Sequence, residues 1–304
     1  MIKVNEMPFR VDYFPDGTQC LMHVNITPDV NNEFNIFWRY ENDEELITLM
    51  YIVNYIRNGY KNKNVEINLY MPYIPNARMD RTKNNDEIFT LKFFANFING
   101  LEFNKVSVLD PHSDVSVALI NRVSIIDIND VIKHPVNDEY IIADRWNKEF
   151  IIFFPDAGAY KRYRDLDCLK NYRKIYGSKI RDWNTGKILG LNIVDENGEK
   201  LHNDALKGKH IFMIDDIISY GGTLYYSAIK LNELGADRIS AYATHVETKS
   251  FWNIEKGTFR KAMGFTDEDG NENEQIVTIL YTTNSLYNYE SGNSVYVLNI
   301  EKLN

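Results

Sequence analysis

The sequence predicts an α/β protein made of two similar halves, each a mostly parallel sheet flanked by helices. Three observations carry that reading. Apolar, β-favouring runs alternate along the chain with segments of helical period. Several of those runs end in Pro, Asp or Gly, residues that turn a chain out of a strand. The rhythm laid down before residue 110 then restarts at Glu149.

Taken in order, Asn42-Asp43-Glu44-Glu45 has the cap-x-x-Glu form of a helix start. Leu46, Leu49, Met50, Val53 and Ile56 follow on one helical face, and Gly59 supplies a stop. Val65 to Tyr73 reads as a strand through Ile67, Leu69 and Met71, ending in Pro72-Tyr73-Ile74-Pro75. Ile88, Leu91, Ala95 and Ile98 mark a second helix, closed by Asn99-Gly100. Val106 to Leu109 is the next strand and ends in Asp110-Pro111-His112. In the second half, Phe150 to Phe154 is an apolar strand ending in Pro155-Asp156-Ala157-Gly158, and a helix-like stretch runs to about Tyr172. His210 to Ile214 reads as a short buried strand ending in Asp215-Asp216. Gly221-Gly222-Thr223 then opens an amphipathic helix carrying Leu224, Ala228, Leu231 and Leu234, stopped by Gly235. Arg238 to Thr244 is a further strand. These signals divide the chain near residue 145, into 1–145 and 146–304. With no Pro/Gly/Ser-rich linker between them, the halves are expected to pack firmly. The acidic stretch from Thr266 to Gln275 reads as an exposed loop.

Composition narrows the function. At 304 residues, the chain has room for one large or two ordinary domains. Its 44% hydrophobic and 25% charged residues fall in the globular range. The net charge is −9, from 43 acidic against 34 basic residues, and no long stretch is basic. That argues against a nucleic-acid partner, whose backbone needs a positive face. It leaves room for phosphorylated metabolites where local cations, backbone N–H groups or Mg²⁺ supply the field. Cys20 and Cys168 stand at no metal-ligand or redox spacing and read as two packed thiols. No signal-like or membrane-length apolar run is present, so a cytoplasmic protein with no membrane partner is expected.

The segment richest in chemistry is His210 to Leu224. A buried strand ends in two carboxylates, turns through two glycines and opens a helix. In open α/β sheets ligands bind beyond the carboxyl ends of strands. Glycines let backbone N–H groups approach a phosphate, and the helix N-terminus adds a favourable dipole. The paired acids offer oxygen acceptors to ribose hydroxyls or to Mg²⁺. An acidic turn with a Gly-Gly bend and no ligand is the alternative these residues leave open.

Five ordered stretches resemble the ribose-phosphate diphosphokinases. The run ending Asp215-Asp216, with Gly221-Gly222-Thr223 beyond it, resembles the phosphoribosyl-diphosphate loop that these enzymes share with type I phosphoribosyltransferases. Phe14-Pro15-Asp16-Gly17 resembles their adenine-contacting turn. Pro72-Tyr73 through Ala77-Arg78-Met79-Asp80-Arg81 resembles their Pro-Tyr…Ala-Arg-Gln-Asp-Arg segment. Asp110-Pro111-His112 resembles Asp-Leu-His, and Pro155-Asp156-Ala157-Gly158 with Arg162 resembles Pro-Asp-x-Gly-Gly-x-x-Arg. The likeness runs from about residue 14 to about residue 250.

That resemblance implies two phosphoribosyltransferase-like halves and an ATP-dependent, Mg²⁺-assisted transfer of a diphosphate to the anomeric hydroxyl of a ribose 5-phosphate-type sugar. It implies that Asp215 and Asp216 hold ribose hydroxyls and metal, and that Ser219, Tyr220, Gly221, Gly222 and Thr223 hold the sugar phosphate. Phe14, Asp16, Arg78, Met79, Asp80 and His112 take the ATP side, with His112 and Asp156 placing Mg²⁺. Lys179 and Arg181, the first and third charges of a Lys-Arg-Arg pattern, become the catalytic cations of a mobile loop. A homo-oligomer is implied too, dimer-based and up to a hexamer, because a neighbouring subunit completes such sites. A phosphoribosyltransferase would need only the 215–223 loop, and a non-catalytic homologue should lose the cations retained here.

Three departures bear on specificity. Thr18 stands where an acid is usual and Met79 where Gln is usual, so the adenine edge contacts differ. The loop, normally Asp-Thr-Gly-Gly-Thr, here reads Ser219-Tyr220-Gly221-Gly222-Thr223. An aromatic side chain in place of a small hydroxyl suits an acceptor whose 5′-phosphate is esterified to something flat, because aromatic–base stacking contributes about 1–3 kcal/mol. ADP-ribose, the acceptor of a phage branch that rebuilds NAD, has that shape; it would place the protein in a host cytoplasm. Ribose 5-phosphate is the other acceptor the residues allow.

Overall fold

The computed structural model describes residues 1–22, 24–61, 63–82, 84–181, 188–248, 258–266, 273–292, 294–301 and 303, with backbone alone at 179–181, 188 and 189. The chain forms two compact units, Met1–Asp127 with Glu301–Asn304, and Ile128–Ile300. Each is a mixed α/β layer structure whose sheet is mostly parallel.

The first unit carries the sheet β2-β1-β5-β6-β7-β8. Its strands are β1 (Ile2–Val4), β2 (Met7–Pro8), β5 (Glu33–Trp38), β6 (Glu66–Tyr70), β7 (Lys105–Leu109) and β8 (Val123–Ile126). β5 to β8 run parallel to one another, and β1 is antiparallel to both of its neighbours, β2 and β5. A small hairpin, β3 (Asp12–Tyr13) with β4 (Gln19–Cys20), stands apart from the sheet. Alternation along β5 sends Phe34, Ile36 and Trp38 to one face, where they pack with Leu49, Ile52 and Val53 of α1 (Glu44–Gly59) and Leu91 and Phe94 of α2 (Thr90–Gly100). Each such side chain, fully buried, contributes about 1.5–3 kcal/mol, which outweighs any single cap. The α1 start is nevertheless well made. Asn42 Oδ1 accepts from the Glu44 N–H, and Glu45 reaches back to accept from the Glu41 N–H and the Trp38 indole. A short helix, α3 (Asp114–Leu119), follows β7.

The second unit carries the sheet β11-β10-β9-β12-β13-β14-β15. Its strands are β9 (Phe150–Phe154), β10 (Arg173–Arg181), β11 (Ile188–Asp195), β12 (His210–Ile218), β13 (Arg238–Val246), β14 (Leu280–Thr283) and β15 (Val295–Leu298). Only the β10–β11 pairing is antiparallel. β9 is buried on both faces, as a central parallel strand must be. Phe153 joins the cluster formed with α6 (Gly222–Glu233) and α7 (Thr258–Met263). On the other face Phe154 stacks on Tyr163 of α5 (Ala157–Tyr163), and Phe150 meets Tyr140 of α4 (Asn129–Arg145).

Several expected bounds shift. The strand expected at 65–73 is β6, Glu66–Tyr70, and the helix expected from Ile88 begins at Thr90. The helical stretch after Gly158 stops at Tyr163 and is followed by one 3-10 turn, Asp167–Leu169. β12 continues to Ile218, so Asp215 and Asp216 lie within it. Of the acidic stretch 266–275, residues 267–272 lie outside the described residues. Both cysteines are free thiols. The units divide at 127/128 rather than near 145, because α4 packs with the second sheet: its Glu139 is bonded to His210 of β12 and to Arg238 of β13.

Candidate functional site

Strand register in the second unit builds a crevice. β9 sends its chain one way to β10, while β12 lies on its other side, which makes a topological switch point between β9 and β12. β9 also stops short. Tyr176 pairs with Phe154, yet β10 runs on to Arg181, which carries the arm roughly 15 Å beyond the end of β9. On the other side Met213 pairs with Phe153, and β12 runs on to Ile218. The crevice therefore has Pro155 and Asp156 as its floor and the extended ends of β10 and β12 as its walls. Gly177 lets the β10 wall come this close, since a Cβ there would lie 2.3 Å from the Pro155 carbonyl oxygen.

Three aspartates meet here. Asp156 caps α5, its Oδ1 accepting from the N–H groups of Gly158 and Ala159 at 3.0 and 3.1 Å. Asp216 is buried and pairs with Arg162 of α5 at 3.1 Å, which gives that motif arginine a definite task. Asp215 turns one oxygen to the Asp216 N–H at 3.0 Å. Burial first, and then the Asp216 and Asp156 carboxylates, push the Asp215 carboxyl well above the usual carboxylate range. Oxygen donors crowded in this way suit a hard divalent cation that keeps several waters and shares its shell with phosphates. Among the described residues no group of three His, Cys, Asp or Glu forms a complete cage.

Beyond β12 the chain turns into α6. Gly221 sits at φ +79°, and a Cβ on it would lie 2.6 Å from Phe259 of α7, so both conformation and packing demand glycine. A Cβ on Gly222 would meet nothing within 4 Å. No side chain caps α6. The N–H groups of Gly221, Gly222, Thr223 and Leu224 find no acceptor among the described residues. Four consecutive N–H groups at the positive end of a three-turn helix form a cup for an anion. Ser219 donates to Glu247 Oε2 at 2.7 Å, and Tyr220 is 42% exposed.

Lys179 and Arg181 close β10, opposite Leu191 and Ile188 of β11. They were expected on a loop; their backbone instead ends a strand, and the hairpin tip at 182–187 lies outside the described residues.

The residues expected on the ATP side lie in the first unit, on the β3–β4 hairpin and on the loops after β6 and β7. The β3–β4 hairpin is pinned to the start of α1, the helix after β5, by Tyr13 and Gln19 bonding to Glu44. Phe14 is 52% exposed at its tip. Asp16 closes the turn, accepting from the Thr18 N–H and hydroxyl at 3.0 and 2.7 Å, contacts that hold its carboxyl below the usual range. Thr18, where an acid is usual, is thus the partner that shapes the turn. Arg78 and Met79 are exposed after β6, and Asp80 pairs with Arg81 at 3.4 Å. The Leu109 N–H bonds to the Pro72 carbonyl, so the 72–81 loop lies beside Asp110-Pro111-His112. Asp110 is buried at φ +44°, a strained conformation for a non-glycine residue. His112 belongs to the first unit and Asp156 to the second. Sequence reasoning missed Gly177, Glu247, Thr258 and Phe259. A lone glycine inside a strand-like run is a signal for close backbone approach; the other three carry none.

A crevice at a sheet switch point, with paired carboxylates beside a row of N–H groups that find no acceptor among the described residues, belongs to an α/β protein with mostly parallel sheets. Comparison with known proteins narrows the class. No protein-family model matches the chain. It is 27% identical over 242 residues to the ribose-phosphate pyrophosphokinase of Saccharolobus solfataricus, covering 77% of this chain and 74% of the relative. The Campylobacter jejuni enzyme of that name is 25% identical over 273 residues, covering 84% and 80%. The Bacillus subtilis one is 31% identical over 180 residues, covering 59% and 52%. The phosphoribosylpyrophosphate synthetase structure from Mycobacterium smegmatis shares the fold, with a TM-score of 0.65 at 17% identity over 91% of this chain and 87% of that one. The chain is therefore similar, over most of its length, to diphosphotransferases of the ribose-phosphate pyrophosphokinase type. Among the described residues no helix is long and apolar enough to cross a membrane.

Proposed function

We propose that the protein is a ribose-phosphate pyrophosphokinase that moves the β,γ-diphosphate of ATP onto the anomeric hydroxyl of a ribose 5-phosphate-type acceptor and releases AMP. The observation that carries the reading is the run of four N–H groups at residues 221–224 that find no acceptor among the described residues, one turn beyond Asp215 and Asp216. The cup takes the 5′-phosphate, while Asp215 and the Arg162-held Asp216 accept from ribose hydroxyls. That two-point hold fixes the anomeric oxygen for in-line attack on the β-phosphorus. The bond from the β-phosphorus to the α,β-bridging oxygen breaks as the new one forms, and Lys179 and Arg181 stabilise the charge on the transferring group. On the ATP side, Phe14 offers a face to the base, and Arg78 with His112 contacts the phosphates, with Met79 and Asp80 beside them; Asp16 acts through the turn it closes. Asp156, Asp215 or Asp216, together with the ATP phosphates, would hold Mg²⁺, which would supply positive charge against those phosphates. A homo-oligomer working in the cytoplasm fits this family reading.

A second acceptor is favoured by one observation. Tyr220 and Tyr226, in and just after the loop, are 42% and 62% exposed, and an aromatic surface there suits a base attached beyond the 5′-phosphate, as in ADP-ribose. The test is incubation with Mg²⁺, ATP and either ribose 5-phosphate or ADP-ribose, read by mass spectrometry. A diphosphate mass added to ribose 5-phosphate alone rejects the larger acceptor. Addition to ADP-ribose alone makes it the substrate, and addition to neither rejects the whole reading.

A further inference from the structure

The anion cup is held from outside by a helix that the reaction itself does not call for. The carbonyl of Tyr220 accepts two hydrogen bonds from α7: the Thr258 hydroxyl at 2.5 Å and the Phe259 N–H at 3.2 Å. The 220–221 peptide is planar and trans, so its N–H points opposite to its carbonyl. Drawing the Tyr220 oxygen toward α7 therefore aims the Gly221 N–H away from α7. That N–H is the first of the four with no acceptor among the described residues, and Gly221 is buried. A buried donor without a partner is rare in a native fold and asks for a ligand. Rotating the peptide by half a turn would bring the Gly221 N–H against α7 and turn a carbonyl oxygen into the cup, where it would repel an anion. The two α7 donors oppose that rotation, and one of them is a side chain that mutation can remove.

We infer that Thr258 is a positioning residue, whose hydroxyl locks the Tyr220–Gly221 peptide so that the Gly221 N–H faces the bound phosphate. The inference rests on the reading of 219–223 as the sugar-phosphate loop and adds to it a residue from outside that loop. Thr258 touches no reacting atom; it acts through the backbone of Gly221. Because the Phe259 N–H remains when the hydroxyl is removed, the effect is a weakening of acceptor binding and leaves the fold intact.

The test compares wild type with Thr258→Val and Thr258→Ala, which lack the hydroxyl, and with Thr258→Ser, which keeps it. Binding of ribose 5-phosphate and of ADP-ribose is measured by calorimetry on the full chain, alongside steady-state kinetics and thermal melts. Both hydroxyl-less variants are expected to raise the acceptor KM by about three- to tenfold, the usual worth of one hydrogen bond, with ATP KM and kcat within about twofold of wild type. Thr258→Ser restores the acceptor KM. Equal acceptor binding in all four proteins overturns the inference, and so does failure of Ser to rescue. A parallel rise in ATP KM also overturns it, because general damage would move both. A wild-type protein that binds neither sugar phosphate sinks the reading of the loop itself, and the inference with it.

Discussion

Gly221 and Gly222 are neighbours in sequence, yet the fold requires only the first. Alanine at 221 would have to take φ +79° against Phe259, so Gly221→Ala should lower stability by about 2 kcal/mol or more. Alanine at 222 meets open space at the start of a helix and should leave the melting temperature unchanged or slightly raised. Its methyl group would, however, crowd a phosphate approaching the N–H cup, so the acceptor KM of Gly222→Ala should rise. Thermal melts beside kinetics separate the two outcomes, and a Gly222→Ala protein with wild-type KM would argue against an anion at that backbone. Lys179→Ala should reduce kcat by about 100-fold while changing ATP affinity little, because its charge is needed most as the diphosphate moves. Equal losses in binding and rate would contradict that role. At this scale the sequence was informative wherever a residue belongs to an ordered motif. Asp215, Asp216 and the two glycines were legible because strand, acids, turn and helix follow one another within fifteen residues of chain. Glu247 and Thr258 were not, because they meet the loop only through tertiary packing.

Among the elements, α4 carries the clearest energetic prediction. Its Glu139 is fully buried and accepts from His210, Arg238 and the Tyr281 hydroxyl at 2.7, 3.3 and 2.9 Å. Burial alone would raise its pKa, but the hydrogen bonds from His210, Arg238 and Ser240 overcome it and bring the value down to about 2. A folded-state pKa below the unfolded value means stability that is fully present above pH 4.5. It is lost as pH falls from there through about 2. The loss amounts to about 3 kcal/mol. Urea melts across that window should show wild type falling more steeply than Glu139→Gln; identical slopes would mean that Glu139 does not carry the acid sensitivity. The sequence hid α4 because Pro135 sits inside it and interrupts the helical signal, and because Glu139 finds its partners 71 and 99 residues later. It hid the β10–β11 hairpin for a different reason. Its cations read as part of a mobile loop, and the register with β9 and β11 reveals a strand running past the end of β9. Strands such as β9 and β7, by contrast, are short apolar runs with clear terminators and were legible almost residue for residue.

For the molecule as a whole, the two-unit α/β organisation was legible because the alternation of strand and helix periods repeats, and the repeat survives in two mostly parallel sheets. Its division point was not, since α4 belongs by packing to the unit that follows it. Among the described residues only the second unit combines a parallel switch point with an N–H cup and paired acids, whereas the first carries exposed Phe14 and Arg78 on loops at the ends of its strands. That asymmetry suits the proposed transfer between two different phosphorylated substrates. Coupling between the two substrates is read by phosphorus NMR of the protein with Mg²⁺ and ATP, first without and then with ribose 5-phosphate or ADP-ribose. No nucleotide turnover is expected until the sugar is added. AMP and a diphosphate bonded to the anomeric carbon should then appear in equal amounts. Formation of ADP, release of free pyrophosphate with AMP in the absence of sugar, or no turnover with either acceptor would contradict that coupling.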